Sequence, residues 1–229
     1  CLKSGKSLGR SLILLGEHAS LGDLPKKYLC KSQVSAKKAK LSIPFEMPHW
    51  IMMNWVIKLF NAIYFFYGSL RKKKKIVSWD EFFYPLDRIS KWNNLYGKNG
   101  FVQFQCVIPL DQSRLALREL LLEISKAKTG LFLAVLKRFG VQDSHFSFPM
   151  EGYTLALDFP ANERSFSVLE RMDDITISYG GRFYMAKDSR ISSNKFYQSD
   201  IRVKKYIDWR KKNNLVHTFQ SAQSKRLNL

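Results

Sequence analysis

The sequence predicts an α+β fold: a mostly antiparallel sheet with helices packed on one face, plus a C-terminal helical segment. Three observations carry this expectation. Residues 101–109 and 153–159 alternate side chains at the period of two that a strand requires, and these runs end at Pro109 and Pro160. Residues 111–128 and 162–178 instead repeat apolar side chains at intervals of three and four, the helical period. The resulting order of helix, strand, loop, strand, helix, strand implies helices segregated to one side of an antiparallel sheet.

Taken in order, Ser11-Leu-Ile-Leu-Leu-Gly16 is a short, continuously apolar run between glycines and reads as a buried strand. Gly5-Lys6-Ser7 has the ending of a phosphate-binding loop, but no helix pattern follows it, so nucleotide hydrolysis is set aside. Residues 26–40 carry six lysines and read as an exposed connection. Trp50 to Leu70 is almost wholly apolar or aromatic, and its polar residues Asn54, Lys58 and Asn61 form one narrow stripe on a helix. Five basic residues, Arg71 through Lys75, follow at once. Lys58 in mid-segment argues against a membrane span, whereas an interfacial helix over about 50–75, with lysines on anionic headgroups, suits the pattern. A core helix or an aromatic cover over the domain suits it equally.

Phe82-Phe-Tyr-Pro-Leu-Asp87 ends in an extended proline turn, and Ile89 to Leu95 forms a short helix that Gly97 stops. In Phe101–Pro109, Gln103 and Gln105 share one face and Val102, Phe104 and Cys106 the other, so the amides line either a polar cavity or solvent. Asp111 caps a helix to about Lys128 with Leu115, Leu117, Leu120, Leu121 and Ile124 on its buried side. Leu131 to Arg138 is a strand, Gly140 to Pro149 a loop, and Tyr153 to Phe159 the next strand. Asn162 caps a helix to about Ser178 with Phe166, Leu169 and either Met172 or Asp173 marking its turns, and Gly180-Gly181 ends it. The tail is a helix from roughly Ser199 to Lys212 and a shorter one ending at Lys225-Arg226-Leu227.

The charge balance, 38 basic against 19 acidic residues, is +19, which favours anionic partners such as lipid headgroups, phosphorylated ligands or nucleic acid. No fold signature of a nucleic-acid reader accompanies the charge, so nucleic acid is not the expected partner. Cys1, Cys30 and Cys106 are scattered, arguing against a disulfide framework or a zinc site and for a reducing cytoplasm. Four separated histidines without an HExxH pair leave metal chemistry unsupported, so no metal is expected. An opening Cys1 rather than methionine is expected of a processed product or a fragment.

In Gly180-Gly-Arg-Phe-Tyr-Met-Ala-Lys-Asp-Ser-Arg190 a glycine pair leads into an apolar run and then three charged residues. Lys187, after Met185 and Ala186, sits where an ammonium can hold an anionic or hydroxyl-bearing group. The same spacing describes a solvated turn of Lys187, Asp188 and Arg190.

Five motifs in fixed order settle which expectation to follow: Phe82–Asp87, Gly100–Pro109, Ser147–Tyr153, Leu157–Pro160 and Gly180–Arg190. Together they resemble the C-terminal half of FAD-linked oxidoreductases of the vanillyl-alcohol oxidase type. The resemblance implies a substrate-binding domain over 1–182, with the apolar and basic insertion at about 49–75. A segment over 183–229 would return to an FAD-binding domain missing from the chain, and the chain by itself is expected to hold no flavin. The implied activity is hydride transfer from a sugar alcohol, such as polyprenyl-phosphate-linked ribose, to flavin N5. By position, Lys187 and Tyr184 would be the catalytic, flavin-facing pair. Gln103, Gln105, Val135, Lys137, Phe139 and Thr154 would form the substrate pocket, with Lys137 toward the substrate phosphate. Thr154 and Ala156 stand where relatives carry asparagine and a reactive cysteine; Phe83 and Ala222 replace a tyrosine and an aspartate. A cytoplasmic enzyme, peripheral on the inner face of the membrane, is the expected setting. The alternative is a basic, non-catalytic protein associated with membrane or nucleic acid.

Overall fold

Strand alternation and helical stripes resolve into one main sheet with its helices on one side, beside a minor two-stranded pair. The structure, a computed structural model, describes residues 8–24, 41–70, 75–84, 89–129, 131, 133–142 and 146–229. The expectations for Gly5–Ser7, for 26–40, for Arg71 to Lys74 and for Pro85 to Asp87 lie outside the described residues.

Strands β1 (Leu41–Ser42) and β2 (Ile89–Ser90) make a two-residue parallel pair. The main sheet is β3 (Phe101–Pro109), β4 (Ala134–Phe139), β5 (Gly152–Pro160) and β6 (Arg182–Phe183), ordered β4-β5-β3-β6 with every neighbour antiparallel. The β3/β5 register pairs Phe104 with Leu157 and Cys106 with Leu155, and between them Gln103 with Asp158 and Gln105 with Ala156. The pleat therefore sends one set to the helices and the other to the opposite face.

Helix α3 (Ser113–Ala127) and helix α4 (Glu163–Ser178) cover the apolar face. Phe104, Cys106, Ile108, Leu155, Leu157 and Phe159 are buried with Leu120 and Ile124 of α3 and Val168, Leu169 and Met172 of α4. Each such side chain contributes roughly 1.5–3 kcal/mol by leaving water. Burial pushes the Cys106 thiol up to about 12, so this cysteine is a packing group and no nucleophile at neutral pH. Helix α4 starts as expected, with Asn162 Oδ1 accepting from the Ser165 backbone N–H at 2.9 Å. Helix α3 does not: Gln112 is its N-cap and makes no capping bond, while Asp111 accepts only from the Gln112 amide. Its buried stripe runs Ser113, Ala116, Leu120 and Ile124, which turns Leu115 outward to solvent. Phe166 is likewise exposed, one residue off the Ser165, Val168, Leu169, Met172 stripe of α4.

The tail divides differently from expectation. Helix α5 (Ser193–Ser199) ends where Asp200 turns extended, and α6 (Val203–Lys212) follows as a separate helix. Two short helices, α7 (Leu215–Thr218) and α8 (Ala222–Arg226), close the chain. Phe196, Val203 and Leu227 from this tail enter the same buried cluster as the sheet.

Two further expectations fail for physical reasons. Ser11–Gly16 is no strand and is not buried: Leu15 is 93% exposed. Among the described residues no neighbouring strand supplies it with hydrogen bonds, and the segment instead lies along helix α1 (Asn54–Leu70), with the Arg10 guanidinium 3.9 Å over the Phe65 ring and Leu12 against Gly68. Ile89–Leu95 begins as β2 and only then forms a 3-10 turn, Trp92–Tyr96, ended by Gly97 at φ +64°. Helix α2 (Trp79–Phe83) occupies part of the expected Phe82 turn. On α1 the polar stripe is split: Asn54 and Asn61 are half-buried and Lys58 is exposed, while Trp55, Leu59, Phe60, Ile63, Phe66, Tyr67 and Leu70 are exposed along one side of the helix.

Gly152 opens β5 where backbone meets backbone. At φ +157°, a Cβ there would stand 1.9 Å from the Ile108 carbonyl oxygen. Gly152→Ala is expected to cost about 3 kcal/mol by forcing β3 and β5 apart, read as a lowered urea midpoint; a change within about 0.5 kcal/mol would mean the strands yield freely.

Candidate functional site

The face of the sheet opposite the helices carries a cleft of about 190 Å³, lined among others by Gln103, Gln105, Leu133, Val135, Lys137, Thr154, Ala156, Asp158 and Lys187. Strand alternation explains the set. Val135 pairs with Ala156 and Lys137 with Thr154 across β4/β5, while Gln103 pairs with Asp158 across β3/β5. Six of the sequence-predicted site residues thus share one wall: Gln103, Gln105, Val135, Lys137, Thr154 and Lys187.

The other two, Tyr184 and Phe139, lie beside it and are joined through a residue that sequence reasoning did not single out. The Tyr184 ring stacks on Phe148 at 4.7 Å, and Phe139 meets Phe148 edge-on at 5.9 Å. Phe148 belongs to a loop that the tail holds in place. Phe146 stacks on Tyr206 at 4.4 Å, and Arg202 Nη2 donates to the Ser147 carbonyl at 2.7 Å.

Lys187 comes from a turn whose other members are pinned. The Tyr184 backbone N–H donates to the Gln105 carbonyl at 2.9 Å, which hooks the turn to β3 above the amide face. Asp188 accepts from Arg226 at 2.6 Å and from the backbone N–H groups of Arg190 and Ile191. The Gln223 amide nitrogen donates to the carbonyls of Met185 and Asp188, on either side of Lys187. Arg190 forms a two-pronged pair with buried Asp173 at 2.6 and 2.7 Å. The solvated-turn expectation therefore fails for Asp188 and Arg190, whose charges are paired and partly buried, while the Lys187 side chain stays exposed at the cleft. Helix α8, at the far end of the sequence, is what fixes the turn.

Within the cleft the amides are oriented by their neighbours. Gln103 Nε2 donates to Asp158 Oδ1 at 2.9 Å, and a carboxylate only accepts, so Gln103 Oε1 is left to receive a hydrogen bond. Gln105 Nε2 donates to Thr154 Oγ1 at 3.1 Å. Asp158 is 2% exposed, and its Oδ2 has no hydrogen-bond partner. Burial raises its carboxyl above the ordinary carboxylate value, against the pull of the Gln103 hydrogen bond and of the Lys187 charge. Sequence reasoning quoted the motif that contains Asp158 without assigning the residue. Its place opposite Gln103 on an alternating strand was the available signal.

The chemistry this arrangement offers is recognition of a hydroxyl-bearing ligand: ammonium donors from Lys187 and Lys137, and acceptors from Gln103 and Asp158. A larger hollow of about 540 Å³ between Leu8 and the outer side of α3 is lined by Leu8, Arg114, Leu117, Arg118, Leu121 and Leu122, two guanidinium groups with no carboxylate, amide or lysine among them. Among the described residues no cluster of three histidine, cysteine or acidic side chains could hold a metal ion.

Fold and cleft together define an α+β domain with a polar, lysine-flanked pocket on the sheet face that its helices leave open. No protein-family model matches the chain. Over 223 residues, 97% of its length, the chain is 28% identical to the decaprenylphosphoryl-beta-D-ribose oxidase of Mycolicibacterium smegmatis. It covers 48% of that protein, in the C-terminal half, so it spans about half the length of the curated relative it matches.

Proposed function

We propose that this chain is the substrate-binding part of an FAD-dependent oxidoreductase that oxidises a hydroxyl of a sugar alcohol, with polyprenyl-phosphate-linked ribose as the substrate class. The observation that carries this is the single cleft in which Lys187, Lys137, Gln103, Gln105 and Asp158 meet. Support for the class also comes from the relative, whose name specifies a ribose substrate and an oxidase. Lys187 would donate to the hydroxyl oxygen that becomes the carbonyl, and Lys137 would meet the phosphate at the other end of the cleft.

A flavin fits the residues on one side only. The flat Tyr184–Phe148 stack beside the Lys187 turn suits an isoalloxazine edge, and the unpaired Asp158 oxygen is an acceptor for a group lying in the cleft. For the pyrophosphate the chain has no GxGxxG cradle, so that part of the cofactor would be held by an FAD-binding domain outside these residues. When bound, the flavin supplies hydride acceptance. Anaerobic addition of polyprenylphosphoryl ribose to the complete flavoprotein should bleach the flavin absorbance; an unchanged spectrum with bound sugar would remove this assignment.

The exposed arc of α1 supports a membrane as partner, and the scattered cysteines favour its cytoplasmic side. No helix among the described residues is long and apolar enough to cross a membrane. An aromatic and aliphatic half-cylinder beside Lys58, followed in sequence by Arg71 to Lys75, would lie in the headgroup region of an anionic bilayer and bring the cleft to a lipid-linked substrate. Sedimentation with anionic vesicles at low salt, weakened by salt and by Trp55→Glu, is the expected result. Equal recovery with neutral vesicles would remove the anionic headgroups from the proposal, and recovery with neither would remove the membrane.

A further inference from the structure

Asp158 is the only carboxylate among the described residues lining the cleft, and the proposed chemistry so far gives it no part in moving a proton. Its position is built rather than incidental. The β3/β5 register sets it opposite Gln103, whose amide holds Oδ1 at 2.9 Å and so aims the carboxylate. The second oxygen, Oδ2, is buried and has no partner. A buried carboxylate oxygen left unpaired costs stability, and a fold keeps one where a ligand completes it or where it must receive a proton.

We propose that Asp158 Oδ2 is the proton acceptor for the hydroxyl oxidised in this cleft. The proposal rests on the oxidoreductase assignment above and deepens it. In the step, the substrate O–H proton passes to Asp158 Oδ2 while the C–H pair leaves as hydride to a flavin-class acceptor, and the carbon–oxygen bond becomes a carbonyl. Lys187 holds the same oxygen and stabilises the charge that develops on it. The protein is left with a neutral Asp158 carboxyl, and the flavin-class acceptor is reduced by two electrons.

The surroundings suit a base. Lys187 reaches the cleft from the turn after β6 and Lys137 from β4; buried Tyr96, from the 3-10 turn before β3, faces Asp158 without lining the cleft, and Gln103, Gln105 and Thr154 are neutral. Burial makes the carboxylate more basic than an exposed one, and Lys187 keeps that shift in check. Activity governed by this group rises with pH through the raised carboxyl value, because only the ionised form accepts a proton.

The test is Asp158→Asn in the complete flavoprotein. Substrate-driven flavin reduction is expected to slow by about 10²–10⁴-fold, with sugar binding changed far less and the acidic limb of the pH profile abolished. Asp158→Glu should restore part of the rate. Independently of turnover, difference infrared titration should show a carboxyl that protonates above the ordinary carboxylate value in the wild type and is missing from the variant. Wild-type reduction kinetics with an unchanged pH profile in the asparagine variant would overturn the proposal and leave the oxidoreductase assignment standing. So would an infrared titration identical in the two proteins. A wild-type flavin that no sugar alcohol reduces would instead sink the assignment, and this proposal with it.

Discussion

Replacing Lys187 by alanine in the flavoprotein proposed above is expected to abolish flavin reduction by the proposed sugar substrate while leaving the flavin bound. The residue lines the cleft with its side chain exposed, and every other anchor of its turn is supplied by neighbours: Tyr184 to β3, Asp188 to Arg226, Arg190 to Asp173. Truncation therefore removes an ammonium without loosening the turn that carries it. Loss of a positioned donor to developing charge slows reactions by about 10²–10³-fold, and any share in proton transfer adds to that. Flavin content and thermal midpoint should match the wild type, which separates lost chemistry from lost folding. Turnover at the wild-type rate would take Lys187 out of the mechanism.

The second large effect is structural. Arg190→Ala is expected to destabilise the fold by about 3–5 kcal/mol, because it strands the buried Asp173 carboxylate without its partner. Burial already raises the Asp173 carboxyl, with the Arg190 hydrogen bond and charge opposing the shift. Without the guanidinium the folded-state value climbs further. A carboxyl whose folded pKa is raised favours the fold while protonated, and that contribution is lost as pH rises from the ordinary carboxylate value through the raised one. The deficit of the variant should therefore be largest near neutral pH and shrink in acid, measured as urea midpoints at several pH values. Asp173→Asn combined with Arg190→Ala should recover part of the loss. A deficit independent of pH would mean that Asp173 is not the stranded charge.

The contrast between these two residues, three apart in one turn, shows where sequence reasoning stops. Both belong to one short charged run, and nothing in the run separates a lysine exposed at the cleft from an arginine paired inside the fold. The difference lies in Asp173, 17 residues upstream on α4, and in Arg226 and Gln223 near the end of the chain. Contacts at such separations leave no local signature. Helix α1 teaches the same lesson from the other side: its polar stripe is readable, but which of its members turn inward is not. A stripe of Asn54, Lys58 and Asn61 fits a solvent face as well as an inward one. Only Arg10 and Leu12 packed along the inner side decide it.

By itself, the sequence determined the sheet strands at Phe101–Pro109 and Gly152–Pro160, the two covering helices, the Asn162 cap and the amide face of Gln103 and Gln105. Those features rest on periodicity and capping, whose physics is complete within a few residues. The tertiary structure alone decided that Ser11–Gly16 would forgo strand pairing, that the tail would break at Asp200 and that Phe148 would bridge Tyr184 and Phe139. It also decided that Asp158 would stand buried and half-paired in the cleft, because its neighbours Lys187 and Gln103 come from strands and turns far apart in the chain and meet only when the sheet closes its register.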